Sequence, residues 1–314
     1  MLPADLVDDC ITLITQAFRE DIGAAELAEG TDCTTAALVP ATAAAAAAFV
    51  SRAAGVVCGV SVCELIIQQV APRLQLRIEV TDGQAVSPQQ VIATLHGPAQ
   101  DILTVERTCL NFLGRLSGIS SLTHEYVRRV AGTRAEVLDT RKTTPAWRRL
   151  EKWAVTCGGG QNHRLGLYDA IMIKDNHLAF FRSQVADLEQ VIPSAIESVR
   201  HWIRQNVNRL PHGEQTVVQL EVDTLQQLQI GLGADCDMIL LDNMTPEQLV
   251  EAVRLRDQIA PQILLEASGG VNLETIASIA QTGVERISVG ALTHSAVNFD
   301  IGLDWLETER ESQD

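Results

Sequence analysis

From Leu6 to Arg19, apolar residues recur at Leu6, Cys10, Leu13, Ile14, Ala17 and Phe18, a spacing that predicts an amphipathic helix. The run Ala43–Ala48 has high helix propensity but leads into FVSRAAGVVCGV, which is β-branched and interrupted by glycine. That continuation predicts a strand and a turn. A helix over 60–70 and short strands over 74–80 and 91–95 come next, with the turn-rich TDGQAVSP between the two strands. These elements make an α+β segment.

From Ala99 the helical pattern runs through ILTVERTCLNFLGRLSGISSLTHEYVRRV. The chain then changes character. Short apolar runs at 135–140, 170–174, 216–222, 238–242, 263–268 and 286–290 are each followed by a polar or glycine-rich turn and a helix-like stretch. Such alternation implies βαβ units with parallel pairing, and their number favours an open α/β barrel of about six to seven strands. The strand ends are chemically loaded: Thr140-Arg141-Lys142, Lys174 to His177, Glu221, Asp242-Asn243, Ser268-Gly269-Gly270 and Ser288-Val289-Gly290. In α/β barrels the carboxyl ends of the strands share one rim, where active sites sit.

Charge narrows the partners. Twenty-four Lys and Arg against 40 Asp and Glu give a net charge of −16, a surface that repels nucleic acid. The seven cysteines are scattered, without C-x-x-C spacing, which suggests reduced thiols in the cytoplasm. The acidic start MLPADLVDD is unlike a signal peptide, and the Ala43–Ile67 stretch carries Arg52 and Glu64, so no membrane span is expected.

Against that acidic background, residues 139–177 concentrate Arg141, Lys142, His163, Arg164, Lys174 and His177. Guanidinium forks suit carboxylates and lysines suit phosphates, so a carboxylate ligand beside a phosphorylated one is expected. The bland alternative is local pairing with Asp139, Glu151 or Asp175. The turns after Glu266-Ala267 and after Ser288 offer backbone amides as a phosphate cradle. Glu221 and Asp242 suit ribose hydroxyls or magnesium, with a general acid/base pair or salt bridges to Lys142 or Lys174 as rivals.

Several segments in order, ERTCLNFLGRLSGI (106–119), DTRKTTP (139–145), GGGQNHRLGLYD (158–169), IKDNH (173–177), LEVDTL (220–225), LLDNM (240–244), LEASGG (265–270) and ISVGALTHS (287–295), resemble the quinolinate phosphoribosyltransferases. The resemblance implies an N-terminal α/β sandwich over 1–118 and an α/β-barrel catalytic domain over 119–314. It implies a homodimer or higher homo-oligomer, magnesium as cofactor, and quinolinate and phosphoribosyl pyrophosphate as substrates. The products would be nicotinate mononucleotide, pyrophosphate and carbon dioxide, a step of NAD biosynthesis.

By the same resemblance, Arg107 reaches the partner's site and joins Thr140, Arg141, His163 and Arg164 around quinolinate. Lys142 and Lys174 face phosphates and the leaving group, and Glu221 and Asp242 hold ribose and metal. Ser268, Gly269, Gly270, Val289, Gly290, Ala291 and His294 take the terminal phosphate. The chain departs from the family pattern at Gln100, where Arg is frequent, at Ala146-Trp147 in place of Gly-Leu, and at Trp153 in place of Tyr. The alternatives are a related transferase acting on another heteroaromatic carboxylate and a barrel lyase using Lys142 or Lys174 as a Schiff base.

Overall fold

The computed structural model describes residues 2–23, 30–183, 185 and 187–306, in two compact units. The first comprises Met1–His124, Pro145–Gly159 and Ala296–Asp314; the second comprises Glu125–Thr144 and Gly160–Ser295. The expected boundary at 118 falls inside one long helix, and two later segments return to the first unit.

In the first unit, α1 (Val7–Ile22) buries Cys10, Leu13, Ile14 and Phe18, the stripe its spacing predicts. Asp32 caps α2 (Cys33–Leu38), accepting from the Thr35 amide at 2.9 Å. The alanine run is strand β1 (Ala44–Ser51), buried from Ala46 onward. After it come β2 (Gly55–Val56), α3 (Val60–Val70), β3 (Gln75–Ile78), β4 (Ala85–Val86) and β5 (Val91–Pro98). β1 pairs antiparallel with β5, so tertiary pairing overrides the helix propensity of alanine. The orphan amides that open α3 are met by Asp82 of the TDG turn, whose carboxylate accepts from Gly59, Val60 and Ser61 at 2.7, 2.9 and 3.1 Å. α4 (Ala99–Val130) carries the ERT motif, and α5 (Arg148–Cys157) belongs to this first unit.

Gln100, Ala146, Trp147 and Trp153 each have a defined local setting. Gln100 donates to the Val39 carbonyl at 2.7 Å. Trp147 stacks on Phe112, with ring centroids 4.8 Å apart and planes inclined by 19°. Trp153 is buried. Ala146 holds φ 66°, a left-handed conformation that glycine adopts at less cost.

The second unit is a parallel sheet of β6 (Glu136–Leu138), β7 (Ile171–Ile173), β8 (Val218–Val222), β9 (Met238–Asp242), β10 (Leu264–Ser268) and β11 (Arg286–Ser288). Each strand falls inside one of the six apolar runs. Their order is β6-β11-β10-β9-β8-β7, which leaves β6 and β7 as unpaired edges. Gln161 bridges to Leu138 on the free side of β6, adding a fragment of a seventh strand. The helices are α6 (Asp175–Arg182), α7 (Val191–Gln205), α8 (Leu225–Leu232), α9 (Pro246–Ile259), α10 (Ile276–Gln281) and α11 (Ala291–His294). A flat sheet of this width would separate its edge strands by roughly 24 Å. Arg141, just after β6, and Lys174, just after β7, nevertheless line one cavity, so the sheet curls into an open barrel.

A last strand, β12 (Ile301–Trp305), pairs antiparallel with β1 in the first unit, giving the sheet order β12-β1-β5-β3. The apolar pattern predicts no strand there. Among the described residues no helix is long and apolar enough to cross a membrane.

Candidate active site

The strand ends of the second unit open into a cavity of about 810 Å3. Alternation along each strand decides what reaches it. Inward positions two apart stack in layers: Gln219 below Glu221, Leu240 below Asp242, Glu266 below Ser268, and Arg286 below Ser288.

The cavity brings together Thr140, Arg141, Lys142, His163, Arg164, Lys174, Glu221, Asp242, Ser268, Gly269, Gly270, Gly290, Ala291 and His294. Two expected residues stand elsewhere. Arg107 is exposed on α4 in the first unit. Val289 is buried, and its amide donates to the Leu138 carbonyl at 2.8 Å, so that amide is committed to the sheet and cannot serve a phosphate. This corrects its assignment to the cradle.

The cations are arranged for anions. Burial, and then the like charge of Arg141, pulls the Arg164 guanidinium below its usual value, with Asp169 and Glu221 pulling it back up. Arg164 is aimed by the Ala170 carbonyl at 3.0 Å. The Nε of Arg141 is buried without a hydrogen-bond partner among the described residues. Two guanidiniums held close with a donor to spare form a carboxylate receptor.

Lys174 occupies the N-cap position of α6, and its amide donates to His177 Nδ1 at 3.0 Å. Its ammonium donates to Glu221 across the gap between β7 and β8. Lys142 is placed from the other edge: its carbonyl accepts from Thr293 at 2.7 Å, and a side chain on Gly290 would press on Lys142 Cδ and His294 Nε2. Asp242 is held by Asn243, which donates from Nδ2 to Oδ2 at 2.7 Å. Gly269 and Gly270 both take positive φ, 93° and 62°, turning the backbone after β10 along the cavity.

The floor holds residues the motifs alone do not single out. Glu266 is fully buried; Gln219 and Arg286 donate to its Oε2, each at 3.1 Å, and His163 Nε2 stands 3.1 Å from its Oε1. Burial pushes its carboxyl up, but His163 and Arg286 outweigh that and hold it at about 2. Buried Asp139 accepts from the His163 amide at 2.9 Å. Strand parity could have found Glu266, because it lies two residues below Ser268 on the same face. No sequence signal marked Asn243 as the support of Asp242.

Comparison with known proteins agrees with this architecture. Residues 32–117 match the quinolinate phosphoribosyl transferase N-terminal domain, and residues 119–304 match the C-terminal domain of the same family. The chain is 42% identical over 295 residues to a nicotinate-nucleotide pyrophosphorylase [carboxylating] of Mycobacterium leprae, covering 93% of this chain and 95% of that one. It is 35% identical to quinolinate phosphoribosyltransferase [decarboxylating] 1b of Nicotiana tabacum, covering 98% and 85% respectively. The solved nicotinate-nucleotide pyrophosphorylase of Francisella tularensis superposes with a TM-score of 0.83 at 32% identity, covering 98% of each chain. With both domain matches in order along one chain, and a curled sheet whose strand ends gather the shared motifs, the chain belongs to the quinolinate phosphoribosyltransferase family.

Proposed function

We propose that this enzyme transfers the phosphoribosyl group of phosphoribosyl pyrophosphate to the ring nitrogen of quinolinate. The products are nicotinate mononucleotide, pyrophosphate and carbon dioxide, a step of NAD biosynthesis. The observation that carries this reading is the electrostatically coupled pair Arg141 and Arg164 beside two phosphate-suited lysines in one cavity.

Arg141, Arg164, Thr140 and His163 bind the two carboxylates of quinolinate and orient its nitrogen toward the anomeric carbon. Orientation of this kind lowers the barrier by converting a two-body encounter into a local one. Lys142 and Lys174 meet the charge that builds on the pyrophosphate as its bond to the sugar breaks. The amides of Ser268 to Gly270, Gly290 and Ala291, with His294, hold the terminal phosphate. Once alkylated, the pyridine nitrogen is cationic, and the carboxylate beside it leaves as carbon dioxide with the electron pair held next to that charge. A proton then replaces it at carbon.

Glu221 and Asp242 would hold the ribose hydroxyls and magnesium. Two carboxylates completed by phosphate oxygens are a donor set that magnesium takes, and both line the cavity. Magnesium held by these residues would supply positive charge against the phosphates. A Schiff-base role fits less well, because Lys142 is exposed and Lys174 is 42% exposed and paired with Glu221, whereas such an amine is desolvated or crowded by another cation.

We further propose a homodimer in which exposed Arg107 completes the partner's site, and a cytoplasmic location, which suits seven free thiols. Mixing inactive Arg107→Ala and Lys174→Ala chains should restore activity through hybrid sites if Arg107 acts across the dimer. The main test is incubation with quinolinate, phosphoribosyl pyrophosphate and magnesium, with nicotinate as control. Nicotinate mononucleotide from quinolinate alone supports the reading; product from nicotinate alone, or from neither, defeats it.

A further inference from the structure

Glu266 has no part in the chemistry above, yet it is a fully buried charge at the floor of the site, while Glu221 keeps 15% exposure. Its neighbours explain how it is tolerated. Glu266 on β10 and Arg286 on β11 are direct register partners, so the counter-cation is built into the sheet. Gln219 fills a second position on the same oxygen. Only Oε1 is left to face His163, 3.1 Å from Nε2, a close contact without hydrogen-bond alignment.

The other side of the imidazole is equally constrained. Its Nδ1 accepts from the Arg164 amide at 2.7 Å, and the His163 amide donates to Asp139 Oδ1 at 2.9 Å. A ring nitrogen that accepts carries no hydrogen, so the ring hydrogen lies on Nε2, toward Glu266. The ring therefore lies between the carboxylate at the floor and the backbone from which the Arg164 guanidinium projects.

We propose that Glu266 is a positioning residue: with the Arg164 amide it locks His163 as the Nε2–H tautomer, and through that ring it sets Arg164 for the carboxylates of quinolinate. A carboxylate suits the task because it only accepts. A glutamine could turn its amide nitrogen toward the ring and release it. Arg286 is the cation paired with Glu266, while the His163 amide donates to Asp139 and the Arg164 amide to the ring, so the buried carboxylate has its counter-charge within the sheet and the Arg164 guanidinium is left for ligand. The kinetic part of this proposal rests on the quinolinate reading; the structural part does not.

The test begins with 15N-labelled full-length enzyme without substrates, near neutral pH. Long-range proton–nitrogen correlation should show His163 with a hydrogen on Nε2 and none on Nδ1. A hydrogen on Nδ1, or on both nitrogens, overturns the proposal even if the enzyme proves to act on another substrate. Glu266→Gln should then lose the single-tautomer signature and raise the KM for quinolinate about tenfold, leaving kcat and the KM for phosphoribosyl pyrophosphate nearly unchanged. An unchanged quinolinate KM in a folded Glu266→Gln enzyme, whatever its spectrum, also overturns it. If that variant does not fold, Glu266→Asp takes its place, keeping the charge against Arg286 while withdrawing the carboxylate from His163, with the same expected outcome.

Discussion

Asn243 donates from Nδ2 to Oδ2 of Asp242 at 2.7 Å, an arrangement that commits one carboxylate oxygen to the protein and leaves the other for the cavity. Asn243 itself sits at φ 55°, a left-handed conformation that asparagine tolerates better than most residues. Asn243→Ala should therefore lower kcat/KM for phosphoribosyl pyrophosphate about tenfold and leave the KM for quinolinate unaffected. Steady-state kinetics with each substrate varied in turn would show it, and an equal effect on both substrates would contradict the assignment.

The same asparagine limits Gly269. A Cβ on Gly269 would overlap Asn243 Oδ1 and lie 2.9 Å from the Asn243 amide nitrogen, and the position holds φ 93°. Gly269→Ala is expected to destabilise the fold by roughly 1–3 kcal/mol, read as a lowered midpoint in urea. It should also weaken phosphoribosyl pyrophosphate binding by displacing the cradle.

The mutual repulsion of Arg141 and Arg164 predicts a ligand effect on stability. Quinolinate should raise Tm, by an amount equivalent to about 2.7 kcal/mol at a hundred times its Kd. Arg164→Lys removes the fork that pairs with a carboxylate and should raise the KM for quinolinate by at least about tenfold. Scanning calorimetry with quinolinate, and with nicotinate as the monocarboxylate control, tests the first expectation; a nicotinate shift as large as that of quinolinate would count against a dicarboxylate receptor.

Glu266 makes stability depend on acid. Its folded value of about 2 lies below the ordinary 4.5, so its contribution is fully present above about pH 4.5 and fades as pH falls toward 2. The displacement corresponds to roughly 3 kcal/mol. Urea titrations of the wild type and Glu266→Gln should differ most near neutrality and converge as pH drops through that window. A constant difference across it would show that the charge of Glu266 contributes nothing to the fold.

Ala146 holds a left-handed conformation that costs a non-glycine residue energy. Ala146→Gly relieves the left-handed cost but adds freedom to the unfolded chain, so a net gain of about 0.5–1 kcal/mol is expected. Activity should be retained, because the Trp147 stack on Phe112 is untouched. Thermal denaturation of the two proteins decides it, and a lowered Tm would mean the strain is illusory.

The sequence by itself determined the six barrel strands and most of the rim. Short apolar runs that end in charged residues leave few physical options: the apolar part must be buried, and the charged end must reach solvent or a ligand. Hence Arg141, Lys142, Lys174, Glu221 and Asp242 were legible in the chain alone. The run Ala43–Ala48 was readable as strand only through the β-branched and glycine residues beyond it, since alanine favours helix in isolation.

Tertiary structure alone decided features of another kind. β12 becomes a strand because β1 offers it an edge more than 240 residues away in sequence, and no local pattern encodes that pairing. Val289 looked like a phosphate ligand by position, but Leu138 takes its amide first, a competition settled only when β6 and β11 lie side by side. Glu266 read as part of a glycine-turn motif; register with Arg286 and the approach of His163 made it a stable buried charge. Periodicity assigns a residue to a face, whereas its partner across that face is set by strand order and register, which distant segments fix together.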